Sequence, residues 1–276
     1  LRAVELRFDD LAAPADTWSL RGGLDGLAVK SWRGAPALRG VSGFLELGPG
    51  GGQLRLDSGA FSMHFPTVYR DPLAYDSAQG DIALDWDADG LRLRSGLLTV
   101  SGPEGRGRGR FALDIPFAPR VTGVEMDLLV SLDDSTLDYG DKYLPYRLPR
   151  PLLDWVGRSV EGGRVRRGAF IWRGSLRPRN HPHLTVQLFL DVARAQLRYH
   201  REWPRLRDLD ASLWVDNGEA WAVARSGRIL DTDLSGLALR IARGRDGPRL
   251  ALRGDLGGDA LDAQRLLAVF TLAALT

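Results

Sequence analysis

The chain predicts a mainly β fold, a long antiparallel meander curled into an elongated groove, with two short helices at about 149–161 and 259–274. Three observations carry this expectation. Apolar and polar residues alternate with period two in segment after segment, which turns one face of each strand to a core and the other to water. The 33 glycines and 15 prolines are scattered between short apolar runs, so glycine marks turns in a many-stranded protein. Helical periodicity surfaces in only two places.

Along the chain, Pro49 to Gly52 makes a turn before Leu54. Ile82, Leu84 and Trp86 then alternate with Asp81, Ala83 and Asp85. Asp89-Gly90 is a hairpin turn into Leu91 and Leu93, which alternate with Arg92 and Arg94. Phe111, Leu113 and Ile115 alternate with Arg110, Ala112 and Asp114. At Pro149 the period changes. Pro149 and Pro151 suit a helix start, Leu152, Leu153, Val156 and Val160 recur at helical spacing, and Gly162-Gly163 supplies a stop. Arg164 to Gly174, with Val165, Phe170, Ile171 and Trp172, returns to strand composition. Val186, Leu188 and Leu190 follow, then Ala211, Leu213 and Val215, the Asn217-Gly218 turn, and Leu237, Leu239 and Ile241. Leu250 and Leu252 precede the closing helix, whose stripe of Leu266, Leu267, Phe270 and Leu275 suits a cap over a sheet end.

Roughly fourteen strands at ~4.8 Å spacing extend ~65 Å, so such a sheet must curl or fold over. Each Leu or Val left in water forgoes ~1.5–3 kcal/mol of burial. Two helices cannot cover so long a face, and the cover must be another part of the sheet or a ligand.

Composition excludes several classes. The 276 residues and 44% hydrophobic content support a substantial core. With 37 basic and 35 acidic residues interleaved, the charge pattern offers no nucleic-acid footprint. The absence of cysteine removes disulfide scaffolds, Cys-ligated zinc and thiol chemistry, and it fixes no compartment. The chain opens on Leu1 without a charged n-region or cleavage site and reads as a piece of a longer protein. Leu266 to Leu275 falls short of the ~20 apolar residues of a membrane span.

Several residue clusters imitate known chemistry. Asp85, Asp87, Asp89 and Gly90 imitate the start of a calcium loop, but its twelfth position is Gly96 where a bidentate Glu is needed, so a solvated hairpin is favoured. His181 and His183 flank Pro182 with no further ligand nearby, and His64 and His200 are remote, so no metal is assigned. Arg106, Arg108 and Arg110 alternate with glycine and read as the wet face of a strand, with a phospholipid-headgroup contact as the minor alternative. Glu104 or Asp138 could be nominated for a glycosidase only as any acid could, and no nucleophile elbow, P-loop, zincin or dinucleotide motif occurs. The tryptophans, among them Trp32, Trp155, Trp203, Trp214 and Trp221, read as core or interface residues. No enzyme and no cofactor is expected.

Tyr143-Leu144-Pro145, the helix with Leu153-Asp154-Trp155, the Gly162-Gly163-Arg164-Val165 exit and the strand ending in Arg173-Gly174 resemble the YhdP family of AsmA-like proteins. Glu202-Trp203-Pro204 with Leu206, Leu209-Asp210 and Asn217-Gly218, and Gly254-Asp255 before the closing helix, extend the similarity. The likeness is strongest from Tyr143 onward. The resemblance implies a periplasmic segment of an inner-membrane-anchored protein of the Gram-negative envelope, the anchor lying in a region absent from this chain. It implies phospholipid transport towards the outer membrane, in support of its permeability barrier, through a β groove akin to those of bridge-like lipid transfer proteins. Partners would be phospholipid acyl chains and other envelope proteins, with no nucleic acid.

On this reading acyl chains run along Leu84, Trp86, Leu91, Leu93, Phe111, Leu113 and Ile115, then along Val186, Leu188, Leu190, Leu213, Val215, Leu237 and Leu239, with headgroups at the wetter seam. Residues 1–142 are expected to form an N-terminal meander and 143–276 a helix-interrupted segment whose first helix plugs or braces the groove. The alternative from another class is a structural or protein-interaction scaffold with a dry, self-filled core.

Overall fold

The computed structural model describes residues 2–32, 35–118, 123–176, 183–201, 203–244 and 247–258. The closing helix expected at 259–274 lies outside them. Among the described residues fifteen strands make one antiparallel sheet in which order along the chain is order in space, except that β7 pairs with β5 and β8 beside β6. Two-residue links such as Pro49-Gly50 and Asn217-Gly218 favour pairing between successive strands.

The chain separates into two compact units, Leu1–Leu132 with Phe170–Thr185, and Asp133–Ala169 with Val186–Thr276. The first holds β1 (Arg2–Phe8), β2 (Trp18–Val29), β3 (Ala37–Gly48), β4 (Gly51–His64), β5 (Leu73–Trp86), β6 (Gly90–Ser95), β7 (Leu98–Gly102) and β8 (Gly105–Pro116). Strands β9 (Glu125–Thr136) and β10 (Val160–Ser175) each give residues to both units. The second unit continues, from Val186 on, with β11 (Thr185–Leu197), β12 (Leu206–Asp216), β13 (Glu219–Ile229), β14 (Thr232–Gly244) and β15 (Gly247–Gly257).

Between β9 and β10 stand a 3-10 turn (Leu137–Tyr139), one turn of helix α1 (Gly140–Tyr143) and helix α2 (Arg150–Ser159). Pro149 caps α2 with an extended ψ of 130°, and a proline sits in its first turn, as the sequence requires. The expected stop at Gly162-Gly163 is corrected: α2 ends at Ser159, and Val160 already begins β10. The reason is long-range. The Ser159 carbonyl accepts the Arg198 N–H at 2.7 Å, so the returning chain captures the backbone before the glycines are reached. Gly163 lies instead inside β10 at φ 135°, where an added Cβ would stand 2.7 Å from the Ala195 Cα.

The reading of glycine as a turn marker is likewise corrected in part. Pro49-Gly50 and Asn217-Gly218 do turn the chain, the latter pair with φ of 47° and 90°. Gly43 and Gly163, however, sit within strands where neighbouring backbone comes too close for a side chain. Register shifts accompany left-handed residues in β3 and β4 (Gly40, Ala60), β11 (Arg194) and β12 (Asp208). Such bulges bend a strand and raise its twist, which lets a long sheet coil.

Candidate functional site

Register decides which side chains share a face, because residues directly opposite in an antiparallel pair point the same way. In the first unit one row runs Leu6, Leu20, Leu47, Gly52, Leu84, Leu93, Leu113 across seven strands. A second joins Leu45, Leu54 and Ile82, and a third Trp86, Leu91 and Ile115. The opposite face reads Glu5, Arg21, Glu46, Gln53, Ala83, Arg94 and Ala112, with Asp85, Arg92 and Asp114 beside it. Cross-strand ion pairs hold that face, Arg21–Glu46 at 3.1 Å, Arg55–Asp81 at 3.6 Å and Arg94–Asp85 at 3.5 Å. These exposed pairs contribute little stability each, and they keep one side of the sheet wet.

The second unit repeats the division. Leu188, Val215, Ala220 and Ile241 form one row, and Leu190, Leu213, Ala222 and Leu239 the next. Val192, Ala211, Ala224 and Leu237 complete the stripe. Its inner end is a buried cluster of Val165, Val192, Ala195, Leu209, Ala211 and Ala224. Val186 joins the same face by alternation along β11, where Asn217 pins it, donating its N–H to the Val186 carbonyl and accepting the Val186 N–H on Oδ1, both at 2.9 Å. The polar face carries Gln187, Asp216 and Glu219, and beside them an aromatic ladder of Phe189, Trp214 and Trp221. Trp214 and Trp221 stack with their planes 9° apart.

All fourteen residues expected to line the groove therefore fall on the apolar face of their own unit. They are not equally open. Leu113 and Ile115 are only 8% and 4% exposed, because Val124, Met126, Trp172 and the loop residues Ala35 and Phe65 pack around them. Leu84, Leu93, Leu188, Leu213 and Leu239 keep partial exposure. Sequence reading missed the contribution of β1 to β4, where Leu6, Leu20, Leu47 and Leu54 extend the stripe. Their alternation is present but diluted by intervening glycines.

The other candidates resolve into structural roles. Asp87 Oδ1 accepts the N–H groups of Asp89 and Gly90, and its Oδ2 takes Arg92 at 2.7 Å, so the calcium-like loop is an Asp-closed hairpin. Arg92 first, then those two N–H groups, hold the Asp87 carboxyl below its ordinary value. Arg106, Arg108 and Arg110 are exposed on β8. His183 is exposed, and His181 lies outside the described residues. Among the described residues no group of three His, Asp or Glu converges on a metal position.

A shallow recess of about 540 Å³ on the polar face of the second unit is lined by Asp134, Arg164, Arg166, Ala193, Arg194 and Asp210. Arg164 pairs with Asp134, and Arg166 with Asp210 at 2.5 Å and Asp191 at 3.5 Å. Arg166 first, then the Arg194 N–H, depress the Asp210 pKa. A depressed carboxylate adds stability that is fully present above the unfolded value of ~3.9 and is lost as pH falls through the folded value. Asp210→Asn should therefore lower the melting temperature at neutral pH and flatten its decline below about pH 4, as pH-dependent thermal melts would show. An unchanged acid limb would remove Asp210 from the pH response.

In each unit the sheet is apolar along one face and ion-paired along the other, which defines the class, an amphipathic antiparallel β protein. The family model described as YhdP protein matches residues 1–274, and the chain belongs to that family. It is 25% identical over 226 residues to the intermembrane phospholipid transporter YhdP of Escherichia coli strain K12, an alignment covering 78% of this chain and 17% of that protein. The chain thus spans only a small part of its relative's length. No solved structure gives a significant match. Among the described residues, no helix is long and apolar enough to cross a membrane.

Proposed function

We propose that this chain is a phospholipid-conducting segment, in which acyl chains lie against the apolar face of each unit while headgroups remain at its wetter margin. The observation that carries the proposal is the in-register apolar stripe, Leu6 to Leu113 in one unit and Leu188 to Ile241 in the other. A hydrocarbon chain gains ~0.8 kcal/mol per buried CH₂, so such a stripe offers a path of nearly constant affinity and no deep trap. Passive sliding follows, with no cofactor and no covalent chemistry. The named role of the relative as an intermembrane phospholipid transporter supports this reading. On it, the chain works in the periplasm as part of an inner-membrane-anchored protein and meets other envelope proteins there.

Self-packing around Leu113 and Ile115 favours the scaffold reading for that stretch alone. These two brace the sheet, and the partly exposed leucines carry lipid. Photo-crosslinking residues at Leu84 and Leu239, with Ala83 and Ala238 as opposite-face controls, test the assignment. The expected result is phospholipid adducts from the leucine positions only, with phospholipid in an organic extract of the purified chain. Adducts from the alanine positions would reverse the face, and an empty extract without adducts would leave a structural scaffold.

A further inference from the structure

Helix α2 leaves apolar residues substantially uncovered in a stretch where basic residues outnumber acidic ones. Leu152 and Trp155, at helical i, i+3 spacing, are 42% and 43% exposed, and Ser159 alone of the helix is buried. Hydrogen bonds tie the helix to the rest of its unit at its middle and at its C-terminal end. The Trp155 indole N–H donates to the Tyr199 carbonyl at 3.1 Å, and Ser159 is tied to Arg198. The β11–β12 connection thereby lies beside it, where Tyr199 and Trp203 meet edge to face at 5.3 Å. Burial of Tyr199 pushes its pKa up to about 12, the mark of a ring seated in an apolar corner.

Arginines frame this corner. Arg147, Arg150, Arg158, Arg198 and Arg201 are all exposed, and none joins an ion pair among the described residues. Arg205 is taken up by Glu161 at 3.3 Å. In sequence, 147–159 and 198–205 hold five of these arginines besides Arg205 against two acids, Asp154 and Glu202, the latter outside the described residues. The polar face of the sheet contrasts with this: there Arg21, Arg55, Arg94, Arg166 and Arg225 each have an acidic partner. An open Leu–Trp pair, with exposed arginines on its own helix and on the connection beside it, suits the boundary between lipid headgroups and acyl chains. There indole and leucine enter the hydrocarbon margin, and guanidinium groups meet phosphate.

We propose that α2 and the β11–β12 connection form a docking site for the surface of an anionic phospholipid bilayer. A hydrophobic protein groove would satisfy Leu152 and Trp155 but leave the arginines without counter-charge, which is why the bilayer is the favoured occupant. The site does not rest on acyl-chain conduction along the sheet, from which it is separable by experiment.

Flotation of the 276-residue chain with vesicles of phosphatidylglycerol and phosphatidylcholine, against vesicles of phosphatidylcholine alone, tests it. The chain should float with the anionic vesicles only, and release as salt is raised. Arg150→Gln, Arg158→Gln and Arg201→Gln together should weaken partition by roughly a hundredfold, taking a few-fold for each arginine near the surface. Leu152→Gln should weaken it separately, and circular dichroism should show unchanged folding because all four side chains are exposed. Equal flotation with both vesicle types, an unaffected triple variant, or no flotation at all would overturn the proposal. So would loss of flotation in Leu84→Asp, which would place bilayer contact on the sheet face instead. Flotation that persists in Leu84→Asp supports docking whether or not the sheet conducts lipid.

Discussion

Aspartate at Leu84 and Leu239 is expected to strip the purified chain of phospholipid while leaving it folded. Each leucine lies in the stripe of its own unit, Leu84 between Gly52 and Leu93 and Leu239 beside Ala222. Neither belongs to a fully buried cluster, so the folded state loses little packing. A carboxylate at that point puts a strongly hydrated group where an acyl chain must lie. Desolvating it without a partner costs several kcal/mol, enough for at least a tenfold loss of bound lipid. Phosphate and fatty-acid content of an organic extract, per mole of protein, measures the effect. The matched pair Ala83→Asp and Ala238→Asp, on the wet face, should retain lipid. Equal lipid in both double variants would end the case for conduction along this face.

Alanine at Gly43 is expected to unfold the first unit or bring it close to unfolding. Gly43 sits in β3 at φ 150°, opposite Leu24 and Leu56 of a buried cluster, and its added Cβ would fall 2.0 Å from the Arg55 carbonyl oxygen. No rotamer relieves a clash with backbone. Strand β4 must retreat, breaking ladder hydrogen bonds and opening the packing of Val41, Leu56 and Phe61. Strain and repacking together amount to about 3–5 kcal/mol against a typical stability of 5–15 kcal/mol. Urea titration followed by tryptophan fluorescence should show a lowered midpoint or loss of the cooperative transition. A shift below about 1 kcal/mol would mean that β3 and β4 yield more readily than their register implies.

Both effects depend on information of different range. The alternation at Leu84, Leu188 and Leu239 is local, and it was readable because one strand face is buried whatever the strand's partner. The hairpin at Asn217-Gly218 was readable for the same reason, since two residues settle the turn, whereas the one expected at Asp89-Gly90 turns on Asp87–Asp89 with Gly90 already in β6. The role of Gly43 was not, because it depends on how closely β4 approaches, and Arg55 is twelve positions away in sequence. The end of α2 was misplaced by two residues for a related reason, as Arg198 captures Ser159 from far along the chain. The aromatic ladder of Phe189, Trp214 and Trp221 was also hidden, for large rings are read as core by default and only register puts these three on the wet side.

Period and turn chemistry alone were therefore enough to specify a one-faced antiparallel meander and to sort its leucines from its arginines, because both are set by the geometry of a single strand and its nearest link. What they leave open is which parts of the apolar face the protein covers for itself. Leu113 and Leu84 carry the same local pattern, yet Phe65, Ala35 and Trp172 pack around the cluster containing the first, and the second stays partly open. That difference comes from contacts between segments distant in sequence, whose free energy depends on loop paths and sheet coiling that no local alternation encodes. It divides the stripe into residues that brace the sheet and residues available to lipid.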